Sequence, residues 1–146
     1  MHQQIARAIE ASTRSKTIAP SLPSYIKPLP SIIGPDETIY LNTKGALSVP
    51  DAAVIQQIFL SYAEWHHPLM PILDVSSMLR AVTVEPQADG SISLLLLQAA
   101  LYTGAAHVDI KWLHQAGYSS RRAARSAYYH KARVSIYPLT APVLWK

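Results

Sequence analysis

Apolar residues recur along this chain with the spacing of α-helices. Over residues 51–67 they fall every three or four positions and form one stripe, made of Ile55, Ile58, Phe59, Tyr62 and Trp65. Pro50 and Asp51 precede this stretch and Pro68 follows it, and both prolines suit helix boundaries. The pattern therefore predicts an amphipathic helix with one buried face.

Each of three shorter helices is predicted from an aspartate at the position where the helix would begin. Asp36, Asp74 and Asp109 can each accept hydrogen bonds from the free amides of a first helical turn. The first of these helices ends before Gly45 and the third before Gly117, because glycine suits the left-handed conformation that follows a helix.

Two longer helices complete the second half of the chain. After Ser91, residues 92–106 are apolar on nearly all sides, which indicates a central, buried helix. This run is shorter than the roughly 20 apolar residues of a membrane-spanning helix. The last helix is capped by Ser119 or Ser120 and stopped by Pro138.

The fold class predicted from these elements is all-α, an irregular helical array of about six helices preceded by a proline-rich extended arm. Residues 20–35 contain five prolines, which restrict the backbone to extended conformations. We therefore divide the chain into a flexible tail and arm (1–35), a helical domain (36–137) and a divergent tail (138–146). Residues 85–90 are predicted to be a loop.

The amino-acid composition narrows the classes of function that this chain can have. The chain has 146 residues, 49% hydrophobic and 15% charged, which is typical of a globular domain. It contains no cysteine, which excludes disulfides, thiolate zinc sites and cysteine nucleophiles in these residues and fits a reducing intracellular compartment. A net charge of +4 is well below that of a typical nucleic-acid-binding surface.

Two histidine patterns are candidates for metal ligands. His66 and His67 are adjacent, so on a helix their side chains diverge by about 100° and cannot both face one ion. His107 and Asp109 have the His-x-Asp spacing of some non-haem iron sites, but those usually lie on β-barrels. We expect helix ends and caps at these positions, and no catalytic, metal-ligating or cofactor-binding residue.

The last predicted helix is the one basic feature of the chain. Its cationic residues are Arg121, Arg122, Arg125, Lys131 and Arg133. They share the helix with an apolar stripe, which favours a solvated outer face over contact with nucleic acid. Two of the arginines stand at the positive end of the helix, where we expect an acidic partner from elsewhere.

Three stretches occur in the order found in the fungal-specific transcription factor domain, the middle homology region of binuclear zinc-cluster regulators. The first, LPSYIKPLPSIIGPDETIYLNTKGALSVPD, resembles the start of that domain in the cutinase transcription factor subgroup. SYAEWHHPLMPILD resembles its His-Pro turn, and the stretch from SLLLL to SIY resembles the helices that follow. The positions that match its structural motifs are Tyr62, His67, Pro68, Pro71, Asp74, Gly117, Tyr118, Ser119, Arg121 and Arg122.

The resemblance implies a regulatory, interaction-type domain without enzyme activity, which takes part in the regulation of transcription by RNA polymerase II in the nucleus. It implies contact with protein partners or with other domains of a full-length regulator, and no contact with a membrane. In such regulators DNA is read by a separate cluster of six cysteines that holds two zinc ions. We therefore expect no cofactor in this chain, and DNA contact only through a module that it lacks.

The resemblance covers residues 22–137, and family members continue with further helices. The expectation is a truncated fragment with uncovered apolar surface. Two alternatives remain open. One is a small-molecule-sensing module with a cavity among four aromatic residues, namely Tyr62, Trp65, Tyr102 and Trp112. The other is a metal-dependent enzyme that uses His107 and Asp109.

Overall fold

The structure of the chain, a computed structural model, describes residues 22–83 and 92–144, with side chains to residue 139. These ranges hold six helices: α1 Pro35–Thr43, α2 Ala52–Trp65, α3 Val75–Thr83, α4 Leu94–Gly104, α5 Ile110–Gln115 and α6 Arg121–Leu144. They contain no β-strand, and the all-α prediction is confirmed. The tail before residue 22 and the loop predicted at 85–90 lie outside the described residues.

Helix α4 forms the centre of the fold and packs against α2 on one side and α6 on the other. Its residues Leu97, Gln98, Ala100 and Leu101 are almost completely shielded from solvent. The buried amide of Gln98 donates to the carbonyl oxygen of Ala46 at 3.1 Å, which ties α4 to the loop after α1. The predicted central helix is therefore present, although one side of it reaches the surface.

Most of the predicted helix boundaries are confirmed. The carboxylate of Asp74 accepts from the Ser77 amide at 3.1 Å, and Asp109 accepts from the Lys111 amide at 3.0 Å. Between the two candidate serines, it is Ser120 that caps the last helix. Local side-chain chemistry thus sets where three of the helices begin.

Other predicted caps differ from the structure. Helix α1 is capped by Gly34 and has Pro35 in its first turn, so Asp36 lies inside the helix. Proline suits that position because its missing amide has no helical partner there. Asp51 occupies the capping position of α2 but makes no side-chain hydrogen bond, and Ser93 caps α4 through the Leu96 amide.

The last helix continues past Pro138, where the sequence predicted its end. Helix α6 extends to Leu144, and Pro138 is a buried residue within it. A proline inside a helix removes one backbone hydrogen bond, and burial of α6 against α4 offsets that loss. The division of the chain at residue 138 remains a prediction.

The proline-rich arm packs against the helical core. Ile26 is buried, and the Lys27 amide donates to the carbonyl oxygen of Ile92 at 2.8 Å. The Ile92 amide donates to the carbonyl oxygen of Tyr25 in return, at 3.1 Å. The arm therefore forms an isolated parallel β-bridge with the residue two positions before α4. No described helix is both long enough and apolar enough to span a membrane.

Candidate interaction surface

The segment between α2 and α3 is a compact turn held by backbone hydrogen bonds. The amides of His66 and His67 both donate to the carbonyl oxygen of Tyr62, at 2.9 and 3.0 Å. The amides of Leu69 and Met70 then donate to the carbonyl oxygen of His66, at 3.0 and 2.9 Å. Two successive backbone acceptors therefore fold the chain back directly after α2.

Side chains complete this turn at both ends. The hydroxyl of Tyr62 donates to the carbonyl oxygen of Met70 at 3.4 Å. Pro68, before Met70, and Pro71, directly after it, are both exposed. At the far end, the Ser77 hydroxyl donates to Asp74 at 2.6 Å. This hydrogen bond is the main reason that the pKa of the Asp74 carboxyl is lowered.

Three large apolar side chains in this turn face solvent. Leu69 is 82% exposed, Ile72 72% and Met70 60%. We call these three residues the turn patch. Beside it, Leu96 and Ala99 form the exposed side of α4. An apolar surface of this extent at one place on a small domain is typical of a site that contacts another molecule.

Between the turn patch and α4 lies a cavity of about 360 Å³, which we call the apolar groove. It is lined by Tyr62, His66, Leu69, Met70, Ile72, Leu73, Leu96, Ala99, Ala100 and Thr103. None of these residues is acidic, lysine or arginine. The groove is therefore suited to an apolar ligand or side chain and offers no built-in charge for recognition.

His66 is the one imidazole in the groove lining. Its ring stacks on that of Tyr62, with centroids 5.7 Å apart, and lies 5.2 Å from the ring of His107. Burial lowers the pKa of His66, and electrostatic interaction with His107 and with Arg125 lowers it further. The neutral form of the imidazole is thus favoured.

The candidate metal ligands do not form a site in the residues that the structure describes. His107 is stacked against Trp65 with ring centroids 5.1 Å apart, while Asp109 caps α5. Within those residues no group of three or more histidine or carboxylate side chains could hold an ion. The metal-dependent alternative therefore has no geometric support there.

The second set of predicted motif residues lies in the connection from α5 to α6. Gly117 has φ +92°, as predicted for a residue that ends a helix, and its amide donates to His114 at 3.0 Å. The ring of Tyr118 packs edge-on against Tyr128, 5.4 Å away, whereas Ser119 is exposed. This connection sets the direction of α6 relative to α5.

Three of the four arginines of α6 line a second cavity, of about 470 Å³. Its lining consists of Tyr102, Ala106, Arg121, Arg122, Arg125, Ser126 and Tyr129, and we call it the arginine pocket. Arg121 also donates to the backbone carbonyl of Val108. The expected acidic partner is missing from the described residues, in which the only ion pair joins Lys111 to Asp109.

The four aromatic residues predicted to share a cavity are separated in the structure. Tyr62 lines the apolar groove, whereas Tyr102 lines the arginine pocket. Trp65 stacks on His107, and Trp112 lies beside Lys111. Neither the apolar groove nor the arginine pocket is lined by all four residues, so the shared cavity stays a prediction.

The turn patch was not identified from the sequence. The available signal was a short segment, residues 68–72, that contains two prolines and whose apolar residues have no helical periodicity. Such residues lack a helix face through which to enter the core. Their exposure explains why a cluster of this kind can serve contact with another molecule.

The chain is similar to several fungal transcription factors. It is 38% identical over 113 residues to cutinase transcription factor 1 beta of Fusarium vanettenii, which covers 77% of this chain and 13% of the relative. It is 34% identical over 125 residues to the transcription factor cpaR of Aspergillus oryzae, covering 86% and 21%. A transcription factor of Fusarium pseudograminearum is 29% identical over 113 residues, covering 77% and 12%.

These relatives confirm the resemblance to fungal transcription factors, with the cutinase subgroup among them. The chain spans only a small part of each relative's length, at most 21% in these three. No family model matches the chain, and no solved structure matches it significantly.

Proposed function

Because the chain is related in sequence to fungal transcription factors, we propose that it is part of the regulatory domain of such a protein. In this role it acts through contact with other proteins and not through chemistry. The observation that carries the proposal is the turn patch beside the apolar groove. Three large apolar side chains stand in solvent there over a preformed cavity, and burying them against a partner is favourable.

The groove indicates what kind of partner segment it would take. Its lining is apolar, and it runs between the turn and one face of α4. The apolar face of a helix fits a surface of this shape, with large side chains spaced along one stripe as anchors. The occupant we propose is such a segment, which belongs to a protein of the transcription machinery or to another part of the regulator.

The remaining features of a zinc-cluster regulator are proposed for the parent protein. We propose that DNA is bound, and zinc is held, by a separate cysteine-rich module outside these 146 residues. We propose a nuclear location for that parent. No residue of this chain is assigned to DNA reading, to zinc or to any other cofactor.

The test is transcription of a reporter gene in fungal cells. The full chain is fused to an unrelated DNA-binding domain, so that it is brought to a promoter. We expect the wild-type fusion to raise or lower transcription of the reporter. A double variant, Leu69→Asp with Ile72→Asp, should abolish the effect because it places charge on the turn patch.

A matched control separates contact from folding. Ile32 and Ile39 are also more than half exposed, and they lie outside the groove lining. Ile32→Asp with Ile39→Asp should leave reporter transcription as in the wild type. Thermal melts of both purified variants check that each is folded. A wild-type fusion without effect, or two double variants that behave alike, would contradict the proposal.

A further inference from the structure

We propose that the arginine pocket binds a small organic anion. Its carboxylate or phosphate group is held by Arg122 and Arg125, and its planar part lies against Tyr102 and Tyr129. This inference does not depend on the apolar groove or on the proposed protein contact. It concerns a separate set of lining residues, where α4 meets α6.

The charge of the pocket is unbalanced. Arg121, Arg122 and Arg125 all line it, and none has a carboxylate within salt-bridge distance in the described part of the chain. The Nε of Arg125 is buried and makes no hydrogen bond. A buried donor without an acceptor is destabilising, and more so when the group is charged. An anion in the pocket would balance the charge of the guanidinium groups that line it.

Helix polarity adds to this imbalance. The three arginines lie in the first turns of α6, where the free amides already carry partial positive charge. Arginine is therefore unfavourable at this end unless negative charge is close by. Among the described residues, Arg121 donates to the carbonyl of Val108, which is neutral. An oxyanion would meet both the guanidinium groups and the helix end.

The shape of the pocket favours a small molecule with a planar part. Its volume of about 470 Å³ admits a small molecule, and the pocket is open to solvent over much of its surface. The rings of Tyr102 and Tyr129 are 5.9 Å apart and tilted by 52°. The guanidinium of Arg125 lies 4.6 Å from the centre of the Tyr102 ring, so the arginine is held in place.

The geometry of the arginine side chain explains why we propose a carboxylate or phosphate as the bound group. Its planar guanidinium presents parallel N–H donors that match the two oxygens of a carboxylate or phosphate. Two such groups around one concave surface, with aromatic rings beside them, distinguish this site from a solvated basic face. Lys131 and Arg133, further along α6, do not line the pocket.

Titration calorimetry on the purified full chain tests the proposal with four probes: benzoate, phenyl phosphate, benzamide and inorganic phosphate. We expect heat of binding for benzoate or phenyl phosphate, and none for neutral benzamide. Tighter binding of benzoate would indicate a carboxylate ligand, and tighter binding of phenyl phosphate would indicate a phosphate ligand. Inorganic phosphate should bind more weakly than phenyl phosphate because it lacks the ring.

Variants locate the binding. Arg122 is exposed, so Arg122→Gln should fold normally and weaken binding of the aromatic anion by about tenfold or more, the effect of losing about 1.4 kcal/mol. Arg133→Gln, an exposed arginine on the same helix outside the pocket, should bind as the wild type does.

Three outcomes would overturn the inference. The first is that neither aromatic anion binds. The second is that Arg122→Gln and Arg133→Gln have equal effects, which would indicate general charge attraction. The third is that a DNA duplex binds through Arg122 and the small anions do not. None of these results alters the reporter test of the turn patch, so the two proposals fail separately.

Discussion

Gly104 of helix α4 lies directly against the backbone of Ile58 in helix α2. A Cβ atom added to Gly104 would stand 2.4 Å from the Ile58 carbonyl oxygen and 2.7 Å from its Cγ2 atom. Next to this contact, the buried hydroxyl of Ser61 donates to the Gly104 carbonyl at 3.2 Å. The distance between the two helices is therefore set by the missing side chain at position 104.

The substitution Gly104→Ala should destabilise the fold. Alanine is the better helix former by about 1 kcal/mol, but its methyl group would force α2 and α4 apart, and overpacking of this kind costs about 1–3 kcal/mol. We expect the free energy of unfolding, measured by urea titration, to fall. Gly34→Ala is the control, because it meets only the end of the Glu37 side chain, which can rotate away. Equal effects of the two substitutions would contradict this packing argument.

Gly117→Ala tests a different cost at the end of α5. Position 117 has φ +92° and nothing within 4 Å of an added Cβ, so the penalty is backbone strain alone. We expect a loss of about 1 kcal/mol in the free energy of unfolding. Gly117→Asn should lose less, because asparagine tolerates the left-handed conformation better than alanine. An unchanged free energy for Gly117→Ala would contradict the prediction.

Asp74 should stabilise the turn in a pH-dependent way. Its folded pKa is lowered, first by the side-chain hydrogen bond from Ser77 and then by the Ser77 amide. The stabilisation is therefore complete above the pKa of an unfolded aspartate, about 3.9, and is lost as pH falls through the lowered folded value. Asp74→Ala should reduce the melting temperature at neutral pH and converge with the wild type in acid. A difference that stays constant with pH would contradict this mechanism.

Added metal ions should leave the stability unchanged. His107 stacks on Trp65 and packs at a tilt against His66, and the Asp109 carboxylate already accepts a helix amide. We therefore expect Zn²⁺ or Fe²⁺ to cause no shift in the melting temperature of the wild type. A ligand that binds only the folded state would raise it. A rise that disappears in His107→Gln would revive the metal-dependent alternative.

The helix of residues 52–65 shows what sequence can predict. Its apolar stripe supplies Ile55, Ile58, Phe59 and Tyr62 to the core, as the spacing indicated. Trp65, the fifth member, is 53% exposed and packs on His107 instead. Periodicity identifies the side of a helix that faces inward, but the depth of burial at its end depends on the neighbouring elements.

Pro138 and Ile92 show where sequence reasoning fell short. A proline is a strong local stop signal, yet α6 continues through it because the helix is buried against α4. The bridge between the arm and Ile92 joins residues that are far apart in the chain and leaves no periodic trace. Both features depend on energies that arise only when distant segments meet.

The sequence by itself determined the helical class, most helix starts and the turn glycines, because periodicity, capping and left-handed backbone are local properties. Its resemblance to fungal transcription factors likewise depends only on the order of the residues along the chain. Only the tertiary structure decided that Leu69 and Ile72 stand in solvent beside α4, and that Arg125 lies over Tyr102. Those surfaces exist because separate helices pack at particular distances, and side-chain contacts between them follow from that packing.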